Sequence, residues 1–453
     1  MNPIPDCRDA LGRSFAFALL VATATGVSPN ASAQTLSQYQ RPQAPNPQTQ
    51  SPAKPPTQTP AQAPAQAVDP NEVFREQVAK PLQAANELIN TGKNAEAMAK
   101  VREAEQIVDR TPLESYLINR TRGIAASGLG DTQTAIKSFE AVLASGRSPP
   151  DEQLKLTEAI GQLYFKASDY GNAVLWIQRY MRAGGTNPEM RMQLVRSFYL
   201  SEQYSAAATE LRSMIDADEK SGAKPPLDRL QLLGSAYIKM NDGAGQAYVL
   251  DKVLVYYPKK EYWADAIGRV QGKPGFSERL QLDVLRLQEA TGTLTDAAEY
   301  TTMAQLALRI AAPGEAKRVI DKGFAAGILG TGPNADEQRK LRDAAAKQVV
   351  DDEKVLAQNA KDAADAKDGN ALVNVGYAMA STGQFDKGIA LIEQGIQKGG
   401  LSNPDEARLH LAIAYLAAGQ KAKAVAAFKS VQGADATADL ARLWLIHAQR
   451  SSG

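Results

Sequence analysis

His410 and His447 are the only histidines among the 453 residues, and they stand 37 positions apart with no cysteine or carboxylate cluster patterned around either. Metal sites need several such ligands at short spacing, so the sequence holds no recognisable metal site and implies no cofactor. Residues 268–275, GRVQGKPG, contain a Gly-Lys pair. A phosphate loop would need a longer approach from its first glycine and a Ser or Thr after the lysine, where Pro274 stands. Asp351-Asp352-Glu353 could share protons, but it lies in a charged stretch where solvation is the default. No G-x-S-x-G elbow occurs, and no catalytic constellation emerges. The chain reads as a non-enzyme, and its interest moves to surfaces and to the elements that shape them.

Composition fits that reading. The chain is 44% apolar, 22% charged and only 6% aromatic, with a formal net charge of +1. Abundant alanine and scarce aromatics suit helices packed through small residues. The near-zero charge gives no basic excess for nucleic acid. Residues 1–33 read as a signal peptide: Arg8 and Arg13, an apolar run at 14–27, then Ala31-Ser32-Ala33 as an A-x-A cleavage site with Gln34 as the mature start. The run is short for a membrane span, so the mature chain is expected to carry no transmembrane segment. Cys7, the one cysteine, would leave with the signal. Export without cysteine fits a periplasm, with secretion or envelope association as alternatives. Residues 34–70 hold nine prolines and nine glutamines and almost no aliphatic side chains. They read as a disordered, partly extended linker, because they cannot bury enough apolar surface to offset ordering.

From there on a repeat sets the pattern. Gly161 is followed at +3, +12 and +16 by Tyr164, Ala173 and Ile177. The same offsets from Gly123 give Ala126, Ala135 and Phe139; from Ala85, Leu88, Ala97 and Val101; from Val195, Phe198, Ala207 and Leu211. Ala304, Gly376 and Ala412 start further units, and Gly234 starts one in which Gln246 replaces the small +12 residue. Small residues at the anchor and at +12 let two antiparallel helices approach closely, and the larger ones at +3 and +16 fill the space beside the contact. Turns fall between them, at Gly130-Asp131, Ser168-Asp169, Asn241-Asp242, Thr382-Gly383 and Ala418-Gly419.

This arrangement resembles the tetratricopeptide repeat. The resemblance implies an all-α fold, a right-handed α-solenoid of antiparallel helical hairpins, with repeats over 71–332 and again over 369–450. Between them, 333–368 reads as one long charged, irregular helical segment with a thin stripe at Leu341, Val349 and Leu356. It is either solvated or a partner-binding coiled coil. Residues 435–449 read as a helix capping the last apolar face. The pattern is weakest at 261–292. Glu114-Ser115 is similar to the start of the lytic transglycosylase motif, but the rest of that motif does not follow.

In such a solenoid the first helix of each hairpin lines the concave side. Gln162 and Phe165, Arg196 and Tyr199, and Gln231 are the expected partner-binding groove, a mixed aromatic and polar surface suited to an extended peptide or a helix. The other reading is that they only pack between hairpins. The lysine and asparagine of the family's two-carboxylate clamp do not occur at the matching places. The expected function is a scaffold or adaptor for protein partners of the bacterial envelope. The alternative is an accessory factor for export or assembly of an envelope polysaccharide or outer-membrane complex.

Overall fold

The computed structural model describes residues 73–450, so the signal-peptide and linker readings lie outside the described residues. Among those residues there are twenty α-helices and no strand. No described helix is long and apolar enough to cross a membrane. The chain packs as two compact units. Unit 1 runs to Ala217 and includes Ser235–Asn241; unit 2 comprises Asp218–Gly234 and everything from Asp242.

Unit 1 begins with α1 (Glu76–Asn90), α2 (Asn94–Glu105), α3 (Pro112–Leu129), α4 (Thr132–Ala144), α5 (Pro150–Lys166), α6 (Tyr170–Arg182) and α7 (Pro188–Leu200). Then come α8 (Tyr204–Lys220) and α9 (Leu227–Lys239), through which the division between units passes. The hairpin turns have a common construction. A residue with positive φ follows the first helix, Gly92 at +77°, Gly130 at +78°, Ser168 at +59° or Glu202 at +61°, and in the α3–α4 and α5–α6 turns an aspartate caps the next. Asp131 accepts from Thr134 N at 3.1 Å and Asp169 from Asn172 N at 3.2 Å. A left-handed residue ends the helix while the carboxylate satisfies a donor that the next helix leaves open. Proline opens α3, α5 and α7, where its missing N–H is not needed.

The spaced small residues lie at the helix contacts. Ala85, Ala97, Ala135, Ala173, Val195 and Ala207 are all 0% exposed. A Cβ on Gly123 would stand 2.4 Å from Phe139 Cε1, so the glycine leaves the volume that the +16 ring occupies. Phe139 and Ile177 are fully buried there, each contributing on the order of 1.5–3 kcal/mol.

Unit 2 continues with α10 (Gly243–Tyr256), α11 (Lys260–Gln271), a single 3₁₀ turn (Glu278–Leu280), α12 (Gln281–Thr291), α13 (Ala297–Arg309), α14 (Pro313–Ala325), α15 (Ala335–Asp365), α16 (Asn370–Ser381), α17 (Phe385–Lys398), α18 (Pro404–Ala417), α19 (Lys421–Lys429) and α20 (Thr437–Arg450). The α16–α17 hairpin has the tightest approach. A Cβ on Gly376 would lie 2.6 Å from the Gly388 carbonyl oxygen, and one on Gly388 would lie 2.5 Å from that of Gly376.

The charged stretch is a single helix of 31 residues, α15. Leu341 and Ala345 join the core of α13 and α14, and Ala363 is buried near the other end. Between these anchorages Val350 and Val355 stand 54% and 46% exposed. Helix α20 stacks Trp444 on Phe428 of α19, with ring centroids 6.3 Å apart. It also lies against α10, α11 and α12, far earlier in the chain, which local pattern does not disclose.

Candidate partner surface and a buried charge network

The expected groove residues sit on the first helices of their hairpins. Gln162 and Phe165 are one turn apart on α5; Arg196 and Tyr199 are one turn apart on α7. The two helices touch, and Gln162 Nε2 lies 3.5 Å from Met190 Sδ. Glu158 Oε1 accepts from Asn187 Nδ2 at 2.6 Å and from Gln162 Nε2 at 3.4 Å, tying the hairpins together. Phe165 packs edge-on against Tyr170, with centroids 5.7 Å apart, and Tyr199 does the same with Tyr204 at 5.3 Å. Both aromatics are half-buried, so each spends one face on its own hairpin and keeps part of its surface open. Burial raises the Tyr199 phenol above its ordinary range, keeping it a neutral donor. Arg196 is exposed beside it. Gln231 is half-buried and belongs to unit 2, so unit 1 holds four of the five residues.

Large apolar residues are exposed near the ends of three first helices: Leu129 of α3, Leu200 of α7 and Ile238 of α9, at 47%, 41% and 47%. Leu129 and Leu200 fall at +6 and +5 from their anchors, a drift that kept them out of a fixed-offset reading, whereas Ile238 falls at +4, the offset of Phe165 and Tyr199.

Two other polar clusters have structural explanations. Glu114 is fully buried: Oε2 accepts from Arg75 Nη2 at 2.6 Å and Thr111 N at 3.0 Å, and Oε1 accepts from Arg75 N and Nε at 2.9 Å. The Arg75 bonds, then those of the backbone, hold its carboxyl at about 2 despite burial. It closes the capping box of α3 and is committed to that role.

The other cluster lies inside unit 2. Asp283 and Arg286 on α12, Glu315 on α14 and Tyr377 on α16 are all buried, with His410 on α18 beside them. Arg286 donates to both Glu315 oxygens, from Nε at 2.8 Å and Nη2 at 2.7 Å, and to Asp283 Oδ1 at 2.7 Å. His410 Nε2 lies 2.9 Å from the same Oδ1. The guanidinium also sits 4.3 Å over the Tyr377 ring. Burial alone would raise the Asp283 carboxyl; His410 and Arg286 overcome it and hold it well below the carboxylate range. Asp283, Glu406 and His410 bring ligand-type atoms within 4.8 Å of one another. Arg286 already occupies Asp283, and Arg279 Nε donates to Glu406 at 2.7 Å. A metal cation would have to displace or face two guanidinium groups, so the cluster is an internal ion network. The segment LDVLRL at 282–287 carried the available signal: Asp283 and Arg286 stand among four aliphatic residues.

Residues 120–188 and 376–439 match the model of the tetratricopeptide repeat. Those two stretches, one in each unit, are similar to the tetratricopeptide repeat. Among solved structures, a tetratricopeptide repeat protein from Parabacteroides merdae is 12% identical, covering 75% of this chain and 99% of its own, with a TM-score of 0.29. The MamA RS-1 ArsTM double mutant is 19% identical over 40% of this chain and 95% of its own, also at 0.29. Yeast Tom70 is 11% identical over 83% and 96%, at 0.21. No curated protein gives a significant match. Tetratricopeptide repeats generally mediate protein–protein interaction, and their fold is typically a scaffold without catalysis.

Proposed function

We propose that the chain is a non-enzymatic scaffold of the bacterial envelope, acting in the periplasm, that binds a protein partner on the first-helix face of unit 1. The observation that carries this reading is the adjoining α5 and α7 faces. Phe165 and Tyr199 are each supported from behind by a second aromatic, and exposed Arg196 stands beside them. Aromatics held this way lose little freedom on binding, and arginine supplies direction. Exposed Leu200 and Ile238, near the ends of α7 and α9, favour a segment with apolar side chains, as a peptide or helix, over a glycan.

The test is affinity capture from an envelope extract with the parent chain and its variants, followed by titration of the captured partner. Phe165→Ala and Tyr199→Ala are each expected to weaken binding by about 1–2 kcal/mol without loss of helicity. Lys340→Ala, exposed on α15, is the control. Binding that survives both aromatic changes and is lost on altering α15 would move the site to that helix.

A further inference from the structure

We infer that α20 is a detachable strap, and that the surface it covers on α10 and α11 is a helix-docking site which the chain's own C-terminal helix fills. The site takes an amphipathic helix with an aliphatic and aromatic stripe, here Leu440, Leu443, Trp444 and His447, flanked by arginines, here Arg442 and Arg450.

The occupied surface is visible. Leu254 of α10 and Trp263, Ala266, Ile267 and Val270 of α11 share one apolar cluster with Leu440, Leu443 and Trp444 of α20. His447 presents its ring edgewise to Trp263 and Trp444, with centroids 6.1 and 5.8 Å away. Arginines close the flanks: Arg442 pairs with Asp251 of α10, and Arg450 Nη1 donates to the Leu254 carbonyl at 3.3 Å. Lys273 Nζ donates at 2.6 Å to Asp439, which also lies 3.5 Å from Arg442 Nη2.

Four features weaken this seam. A half-open cavity of about 350 Å³ runs along it, lined among others by Gln246, Asp251, Arg269, Lys273 and Arg442. Gln246 stands where the repeat calls for a small residue, and a Cβ on the paired Gly234 would meet only Val249 Cγ1, at 3.4 Å. Gly234 is therefore less crowded than Gly123 or Gly376. Second, the Trp444 indole N–H is buried without a hydrogen-bond partner, so the docked helix leaves a donor unsatisfied. Third, the ionic flanks are partly exposed, with side-chain accessibilities of 51% and 22% for Lys273 and Asp439, and salt screens such pairs. Fourth, the residue before the helix, Ala436, has φ +77°, a left-handed conformation strained for alanine. The link into the strap stores strain that release would relieve.

Nothing of this kind weakens α16 and α17, where backbone meets backbone. The strap thus opens before the hairpins it closes, and opening bares the surface of α10 and α11.

The experiment uses the full chain and hydrogen exchange read by peptide, in the parent and in Lys273→Gln/Arg442→Gln, at low and high salt. Amides of α20, α10 and α11 should exchange faster together in the variant, by about tenfold or more, and faster again in about 1 M salt, while α16 and α17 hold their rates. A labelled peptide of residues 437–450 should bind the variant and not the parent. Exchange in α20 that remains as slow as in α16 and α17 in the variant at high salt would overturn the strap. So would a variant in which all of unit 2 speeds up equally. A variant whose α20 opens but which binds no added peptide would overturn the docking site. Partner binding at Phe165 and Tyr199 is a separate readout on unit 1, so either idea can fail alone.

Discussion

Units 1 and 2 use the same hairpin and finish it differently. In unit 1 the first helices keep part of their outward face open: Arg196 is exposed, and Phe165 and Tyr199 are half covered by their own hairpins. In unit 2 helices α12, α14 and α18 turn charged side chains on one another. His410 of α18 reaches Asp283 of α12 across 127 positions, and Arg286 ties both to Glu315 of α14. A hairpin repeat therefore dictates local packing only. Whether its free face becomes a binding surface or an interior depends on side chains the repeat leaves unspecified, and charge placed there can fasten a unit shut.

The largest expected effect tests that fastening. Arg286→Met removes the only guanidinium between two buried carboxylates, Asp283 and Glu315, which are 1% and 2% exposed. Breaking a buried pair from one side leaves charge uncompensated and costs about 3–5 kcal/mol. Urea unfolding should show the loss in unit 2. The triple change Asp283→Leu/Arg286→Met/Glu315→Leu should recover much of it, since apolar replacement of a whole ion network is often neutral. Equal losses in the single and triple variants would mean that shape, and not charge, holds this interior.

Next in size is Gly376→Ala. The new Cβ would lie 2.6 Å from a carbonyl oxygen and 2.8 Å from the Ile392 backbone nitrogen, neither of which can rotate away. Overpacking of about 1–3 kcal/mol should outweigh the helix-propensity gain of about 1 kcal/mol. Ala173→Leu, at 0% exposure in unit 1, should fall in the same range, read by thermal melting. A parent-like melt for Ala173→Leu would show the hairpin contact to lie elsewhere.

These contacts were legible in the sequence because each is made within about seventeen residues. A small residue and its partner at +12 meet across one turn, so spacing alone discloses them. Phe165 and Tyr199 could be placed on the first-helix face for the same reason, although their supporting tyrosines at 170 and 204 were not singled out. The ion network and the seam of α20 escaped because their partners lie about 30 to 191 positions apart, and no periodicity spans that distance. For the seam the hint was a failure of pattern, Gln246 at a small-residue place; for the network it was Asp283 and Arg286 set among aliphatic residues. The exposed Leu129 and Leu200 escaped for a different reason. A helix end can shift by a residue or two without disturbing the buried contact behind it, so an exposed position there keeps no fixed offset.

A smaller effect is expected at the start of unit 1. Glu114→Ala removes a capping box and leaves Arg75 unpaired, for about 1–2 kcal/mol. Its carboxyl titrates near 2 in the fold and near the ordinary value when unfolded. The folded value is depressed, so its contribution is present above about pH 4.5 and fades as pH falls through about 2. Stability difference between parent and Glu114→Ala, followed from pH 7 to pH 2, should therefore narrow on acidification. A difference independent of pH would show that the carboxylate charge contributes nothing and that only the shape of the side chain matters.

The smallest effect is the most discriminating between the two units. Gly161 of α5 and Gly376 of α16 hold the same place in their hairpins, yet a Cβ would meet different things. At Gly376 it meets backbone; at Gly161 it meets Ile177 Cγ1 at 3.0 Å and Met190 Cε at 3.3 Å, both on side chains. Methionine has three rotatable bonds and can give way by a few tenths of an ångström. Helix propensity favours alanine over glycine by about 1 kcal/mol, and the side-chain shift should consume most of that. Gly161→Ala is thus expected within about 0.5 kcal/mol of the parent, against a clear loss for Gly376→Ala, both read from the same urea titrations. Equal losses at the two sites would show that the anchor is a rigid requirement of the hairpin wherever it occurs. The expected split would show that unit 1 keeps slack at a contact which unit 2 has closed to the backbone.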